Sequence, residues 1–168
     1  MSSSKFDYYW RDYNGEIPDD AVPAGYDKNL ERTYVGQLLV LNHGLLTTRI
    51  YKGIKSVTAS KQGIHTSCEA VKILCSQHLE KFVWLPAKAC TLHTDIIGKH
   101  LVVGGYENGK LLNIGRGSYQ EEVIVGKVCS YNIGNASLYF PYKNQELNMD
   151  SYEILVFDND AVGDFDVR

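Results

Sequence analysis

Short runs of β-branched and aromatic residues recur along the chain, each closed by glycine or asparagine. Thr33–Leu41, Glu122–Cys129, Ser137–Pro141 and Tyr152–Phe157 are of this kind. Runs of this length, bounded by turn formers, predict strands. Only residues 67–80 could be argued as helix, and Ala70–Cys75 within them reads equally well as strand. The fold class expected is therefore all-β.

A second pattern lies over the first. Ala24-Gly-Tyr-Asp27 is echoed by Gly104-Gly-Tyr-Glu107, and Tyr34-Val-Gly-Gln37 by Asn113-Ile-Gly-Arg116. Arg49-Ile-Tyr51 is echoed by Lys127-Val-Cys129, and Lys72-Ile-Leu-Cys75 by Glu153-Ile-Leu-Val156. A tryptophan opens each series, Trp10 and Trp84. Five blocks in one order predict two tandem, pseudo-symmetric β repeats packed together, over residues 8–80 and 81–157, with an acidic tail over 158–168. Gly25 and Gly105 are expected at turns that need positive φ. Gly36 and Gly115, inside strand patterns, point to a bulge or a close backbone approach.

Composition narrows the function classes. The 168 residues, 44% hydrophobic and 22% charged, suit one compact domain or two small ones packed closely. Fifteen glycines and twelve tyrosines fit many turns and few helices. With 17 basic and 20 acidic side chains, no basic face for nucleic acid is indicated. No apolar run approaches the ~18 residues of a transmembrane segment. The start, Met1-Ser-Ser-Ser-Lys-Phe-Asp, carries no apolar signal region. The location expected is cytoplasmic, with vesicle association or release without a conventional signal peptide as variants. Cys68, Cys75, Cys90 and Cys129 form no C-x-x-C pair and read as reduced, mostly buried thiols.

Chemistry-bearing motifs are few. The five histidines lack H-x-x-x-H spacing, and no Gly-x-Ser-x-Gly elbow is present. Gly115-Arg-Gly117 opens no helix, which argues against a dinucleotide site. Asp158-Asn-Asp160 with Gly163 and Asp164 has part of a calcium-loop pattern but no glutamate at its twelfth position. No metal, no cofactor and no enzymatic activity are expected. The aromatic start, Phe6–Tyr13, reads as core or seam packing rather than a stacking platform for sugar.

Tyr9-Trp10, then Gly15-Glu-Ile-Pro18 and Ala24-Gly-Tyr-Asp27, resembles the opening of a DM-nine repeat. Ile114-Gly-Arg116, Val125-Gly-Lys-Val128 and Ser151-Tyr-Glu-Ile-Leu-Val156 resemble its later motifs. The resemblance spans roughly residues 8–157. Val83-Trp-Leu-Pro86 lacks the Gly-x-Ile-Pro element, and residues 52–68 match poorly. It implies an all-β tandem pair, a calcium-independent mannose-binding lectin acting in pathogen recognition, mannose-containing glycans as partners, and a homodimer. It also implies sugar contact through the acid after Gly-Tyr and through a strand base: Asp27 and Glu107, Arg49 and Lys127. An intracellular or vesicle-associated interaction protein without sugar binding is the alternative within the same family.

The residues allow both readings. A carboxylate accepts from adjacent sugar hydroxyls while an ammonium donates to their lone pairs, and such bonds are charge-assisted. Equally, Asp27 in Asp-Lys-Asn-Leu could cap its own backbone, and Arg49 and Lys127 could form cross-strand ion pairs. Unit one has Arg49 in place of lysine, and unit two has Glu107 in place of aspartate. A site across the seam would join Asp27 to Lys127.

Overall fold

The structure, a computed structural model, describes residues 6–161. The amino-terminal Met1–Lys5 and residues 162–168 of the acidic tail lie outside the described residues. The first half contributes β1 (Tyr9–Asp12), β2 (Pro23–Tyr26), β3 (Arg32–Val40), β4 (Gly44–Tyr51), β5 (Val57–Ser60), β6 (Ile64–Ser67) and β7 (Val71–Cys75). A 3-10 turn, Leu79–Lys81, leads to β8 (Phe82–Lys88), the four-residue helix α1 (Leu92–Asp95), β9 (His100–Leu101) and β10 (Val103–Glu107). The chain continues through β11 (Lys110–Tyr119), β12 (Glu122–Val128), β13 (Leu138–Tyr142), β14 (Gln145–Met149) and β15 (Ser151–Phe157). The segment open to a helical reading became β7: Lys72 alone is exposed and Ile73–Cys75 are buried in succession, Leu74 on one face and Ile73 and Cys75 on the other, as in a strand covered on both sides.

Thirteen strands form one antiparallel sheet running β1-β7-β3-β4-β10-β11-β12-β13-β14, with β2 on β3 and with β15 joining β11 to β8 and β9. The hairpin β5–β6 stands apart. Pairings in the first half recur in the second. Trp10 faces Leu74 as Trp84 faces Leu155. Gly36 faces Ile73 as Gly115 faces Ile154. Val35 faces Arg49 as Ile114 faces Lys127. The β2–β3 and β10–β11 pairs each carry an irregularity, between Pro23 and Gly25 and between Val103 and Gly105.

Strand alternation sends one set of side chains to a shared core between the halves. Val22, Val35 and Leu74 meet Val102, Ile114 and Leu155 there, with Trp84 buried and Trp10 packed against the cluster. Phe6 and Tyr8 join the same core, so the aromatic start is seam packing. The opposite faces build one core per half, around Leu38, Ile50 and Ile73 and around Leu138, Phe140 and Ile154.

The halves meet where β10 pairs with β4, Tyr106 opposite Leu45. The expected turn role of Gly25 and Gly105 does not hold: both lie in strands, neither in the left-handed region. A Cβ on Gly105 would stand 1.9 Å from the Leu45 carbonyl oxygen, and one on Gly25 would stand 2.6 Å from Val123. Glycine is needed because the other half's strand passes against the backbone. Side chains stitch the same crossing: Gln37 Nε2 donates to the Gly104 carbonyl at 2.8 Å and an Arg116 amino nitrogen to that of Ala24 at 2.7 Å. All four cysteines are free; Cys75 and Cys129 are buried, but Cys68 and Cys90 are exposed, contrary to the expectation of mostly buried thiols.

Candidate functional site

Lys127 lies on β12 where consecutive side chains are buried, and the strand turns its ammonium into a small cleft. Glu107 closes β10, just before the Asn108–Gly109 turn, whose two residues take positive φ. The Lys127 Nζ is 2.8 Å from Glu107 Oε2 and 3.4 Å from Glu146 Oε2, brought in by β14. The Tyr131 hydroxyl donates to Glu107 Oε1 at 3.0 Å and the Cys129 thiol at 3.5 Å. Lys61, from the β5–β6 turn of the first half, bonds the His43 carbonyl and Asn108 Oδ1 at the rim. The cleft encloses about 200 Å³.

The electrostatics follow from burial and pairing. Burial pushes the Glu107 carboxyl up, but Lys127 and the Tyr131 and Cys129 donors outweigh it, and the net pKa lies below the usual carboxylate value. Burial raises the Tyr131 phenol and pushes the Cys129 thiol up to about 11, so both stay protonated and keep donating to Glu107 at neutral pH. Glu146 differs. Its Oε2 is buried and accepts no hydrogen bond, although Lys127 stands opposite. A buried acceptor without a donor is costly, and a ligand hydroxyl would satisfy it.

A second cleft, of about 470 Å³, lies at the corresponding place in the first half. Arg49 occupies the register position of Lys127. Its terminal nitrogens donate to the Val123 carbonyl at 2.9 Å and to Glu122 at 2.7 Å, both on β12 of the other half. The guanidinium also sits 4.8 Å from the centroid of Tyr51. Just as Lys61 reaches the second-half cleft, Lys143 and Asn144 of the β13–β14 turn line the first-half one. Each cleft is thus built across the seam.

Of the four residues singled out from sequence, Glu107 and Lys127 come together. Asp27 and Arg49 do not. Asp27 Oδ1 accepts from the backbone of Asn29 and Glu31 at 2.8 and 3.0 Å, closing its own turn. Among the described residues Asp27 makes no ion pair, so it joins neither Arg49 nor Lys127. Sequence reasoning missed Glu146, Tyr131, Asn108 and Lys61. None belongs to a repeated block, and Glu146 comes beside Lys127 through two successive pairings, Lys127 opposite Tyr139 and Pro141 opposite Glu146.

Among the described residues no group of His, Cys, Asp and Glu side chains is arranged to hold a metal ion, and no helix is long and apolar enough to cross a membrane. The family model described as the DM9 repeat matches residues 39–149, about two thirds of the chain. No curated protein matches.

Proposed function

The chain belongs to the DM9 repeat family, and from that premise we propose that it binds mannose-type carbohydrate without calcium, as a pattern-recognition protein of innate immunity built from two repeats in tandem. The observation that carries this reading is the open pair in the second-half cleft. Lys127 keeps donors beyond the one it gives Glu107, and Glu146 Oε2, in ion-pair contact with that ammonium at 3.4 Å, accepts no hydrogen bond. One hydroxyl of a sugar can donate to Glu146 while the neighbouring oxygen accepts from Lys127. The ammonium supplies the positive charge that a cation would otherwise bring to a vicinal diol. Glu107, already saturated by Lys127, Tyr131 and Cys129, holds the ammonium in place rather than meeting the sugar.

Retention on mannose-agarose in the presence of chelator, followed by calorimetric titration, tests the proposal. Glu146→Gln is expected to weaken binding by about 1.5–3 kcal/mol, the range for a hydrogen bond to a charged group. A protein that binds no neutral hexose, with or without chelator, would leave the interaction-module alternative in its place.

A further inference from the structure

The two clefts share a backbone plan but not a ligand chemistry. Thr48 and Gly126 occupy matching positions, opposite Gly36 and Gly115. The carbonyls of Thr58 and Tyr139 lie over them. Two residues further on, Ser60 pairs with Ile64 and Pro141 with Glu146. Ile64 therefore stands where the second-half cleft has its open carboxylate. Asp27, the counterpart of Glu107, is withdrawn into its own turn. The charged side chains lining the first-half cleft are Arg49 and Lys143; the carboxylates near it, Glu122 paired to Arg49 and Asp27 acting on the Tyr51 phenol, lie outside the lining.

We infer that the first-half cleft binds a carboxylate-bearing sugar with an apolar substituent, of the sialic or uronic acid class. Arg49 gives N–H donors to the Val123 carbonyl and to Glu122, and it also interacts with the Tyr51 hydroxyl, which leaves part of its five-donor guanidinium for a ligand. Glu122 and the Tyr51 ring hold the guanidinium in orientation at the cleft wall, and a planar guanidinium suits a carboxylate. Lys143 adds a second positive charge from the opposite lip. Ile54 and Ile64 supply an apolar wall for an N-acyl or similar group, and the larger volume admits it. The inference rests on the carbohydrate reading for the ring of the ligand, not for its charge.

The test is titration of the whole chain with N-acetylneuraminic acid and its methyl ester, with mannose titrated in parallel. The acid is expected to bind about tenfold more tightly than the ester. Lys143→Gln should narrow that ratio to a few-fold. Ile64→Glu, which adds the carboxylate that Glu146 supplies in the other cleft, should abolish it. Melting temperature confirms that each variant is folded. Equal affinity for acid and ester, or a ratio that ignores both substitutions, overturns the inference. Mannose binding without acid binding overturns this inference alone; loss of both ligands overturns the carbohydrate reading as well.

Discussion

In the second-half cleft a lysine faces two carboxylates, and one of these retains an unfilled acceptor. In the first-half cleft an arginine at the same register position is drawn across the seam into an ion pair with Glu122, and the cleft lining holds Lys143 and apolar Ile54 and Ile64 but no carboxylate. The β3–β4 and β11–β12 registers are common to both, but β13 pairs with β12 whereas the β5–β6 hairpin stands apart from β4, so the clefts differ in strand pairing as well as in side chains. A shared strand plan fixes where a charged group points. Which partner it finds is settled by residues on the other half, which the strand plan does not constrain.

Removing the lysine should give the largest effect. Lys127→Met leaves Glu107 and Glu146 without their cation, and Glu107 is only 6% exposed. Breaking a buried pair in this way costs about 3–5 kcal/mol, measurable by chemical denaturation. Arg49→Met should cost less, about 1.5–3 kcal/mol, because Glu122 at 13% exposure retains more water. Equal costs would erase the distinction between the two clefts.

The glycine crossings come next. Gly105→Ala collides with a backbone carbonyl, whereas Gly25→Ala meets Val123 Cγ1 and Cβ, of which side-chain rotation moves only the first, so a small strand shift completes the relief. Both should lower stability, within or somewhat above the ~1–3 kcal/mol range of overpacking, and Gly105→Ala by the larger amount. A reversed order in thermal melts would mean that the β4–β10 junction yields more readily than its register implies.

Acid should act on the second-half cleft through Glu107. Its pKa in the folded chain lies below the ordinary 4.5, so the stability it contributes is complete above that value. That contribution is lost as pH falls through the lowered folded value. Denaturation midpoints collected from neutral pH downward should therefore drop below about pH 4.5, and Lys127→Met should remove this component of the drop. The smallest effect belongs to Asp27→Ala. It deletes two turn hydrogen bonds at an exposed loop, about 1 kcal/mol, and should leave mannose titration unchanged. Loss of sugar binding in that variant would return Asp27 to the site.

Much of this was legible in the amino-acid order, for identifiable reasons. The five repeated blocks fall on pairings that recur, because strand register is set by which residues are apolar and which are glycine. Glu107 and Lys127 sit in two of those blocks, and the sequence brought them forward together. Asp27 could be read either way; its Asp-Lys-Asn-Leu context described the outcome better than its repeat position did. The roles of Gly25 and Gly105 were not legible, since nothing local announces that another half's strand will lie against them. Glu146 and Lys61 escaped for the same reason. Their place at the cleft depends on hairpins that no repeated block marks, and the capture of Arg49 by Glu122 joins residues 73 apart in sequence.

Each hairpin turn, Lys61-Gln62 in one half and Lys143-Asn144 in the other, forms a lip of the cleft that belongs to its neighbour. A lone half would present a groove open on that side and would need a second copy to complete it. In such a symmetric pair every substitution appears at both grooves at once, so the two can never differ. Joining the halves in one polypeptide removes the dependence on concentration and releases that constraint. A replacement such as isoleucine for a carboxylate can then change one groove while its twin keeps its chemistry. Covalent linkage of the halves thus lets two clefts at matching register positions follow separate chemical courses.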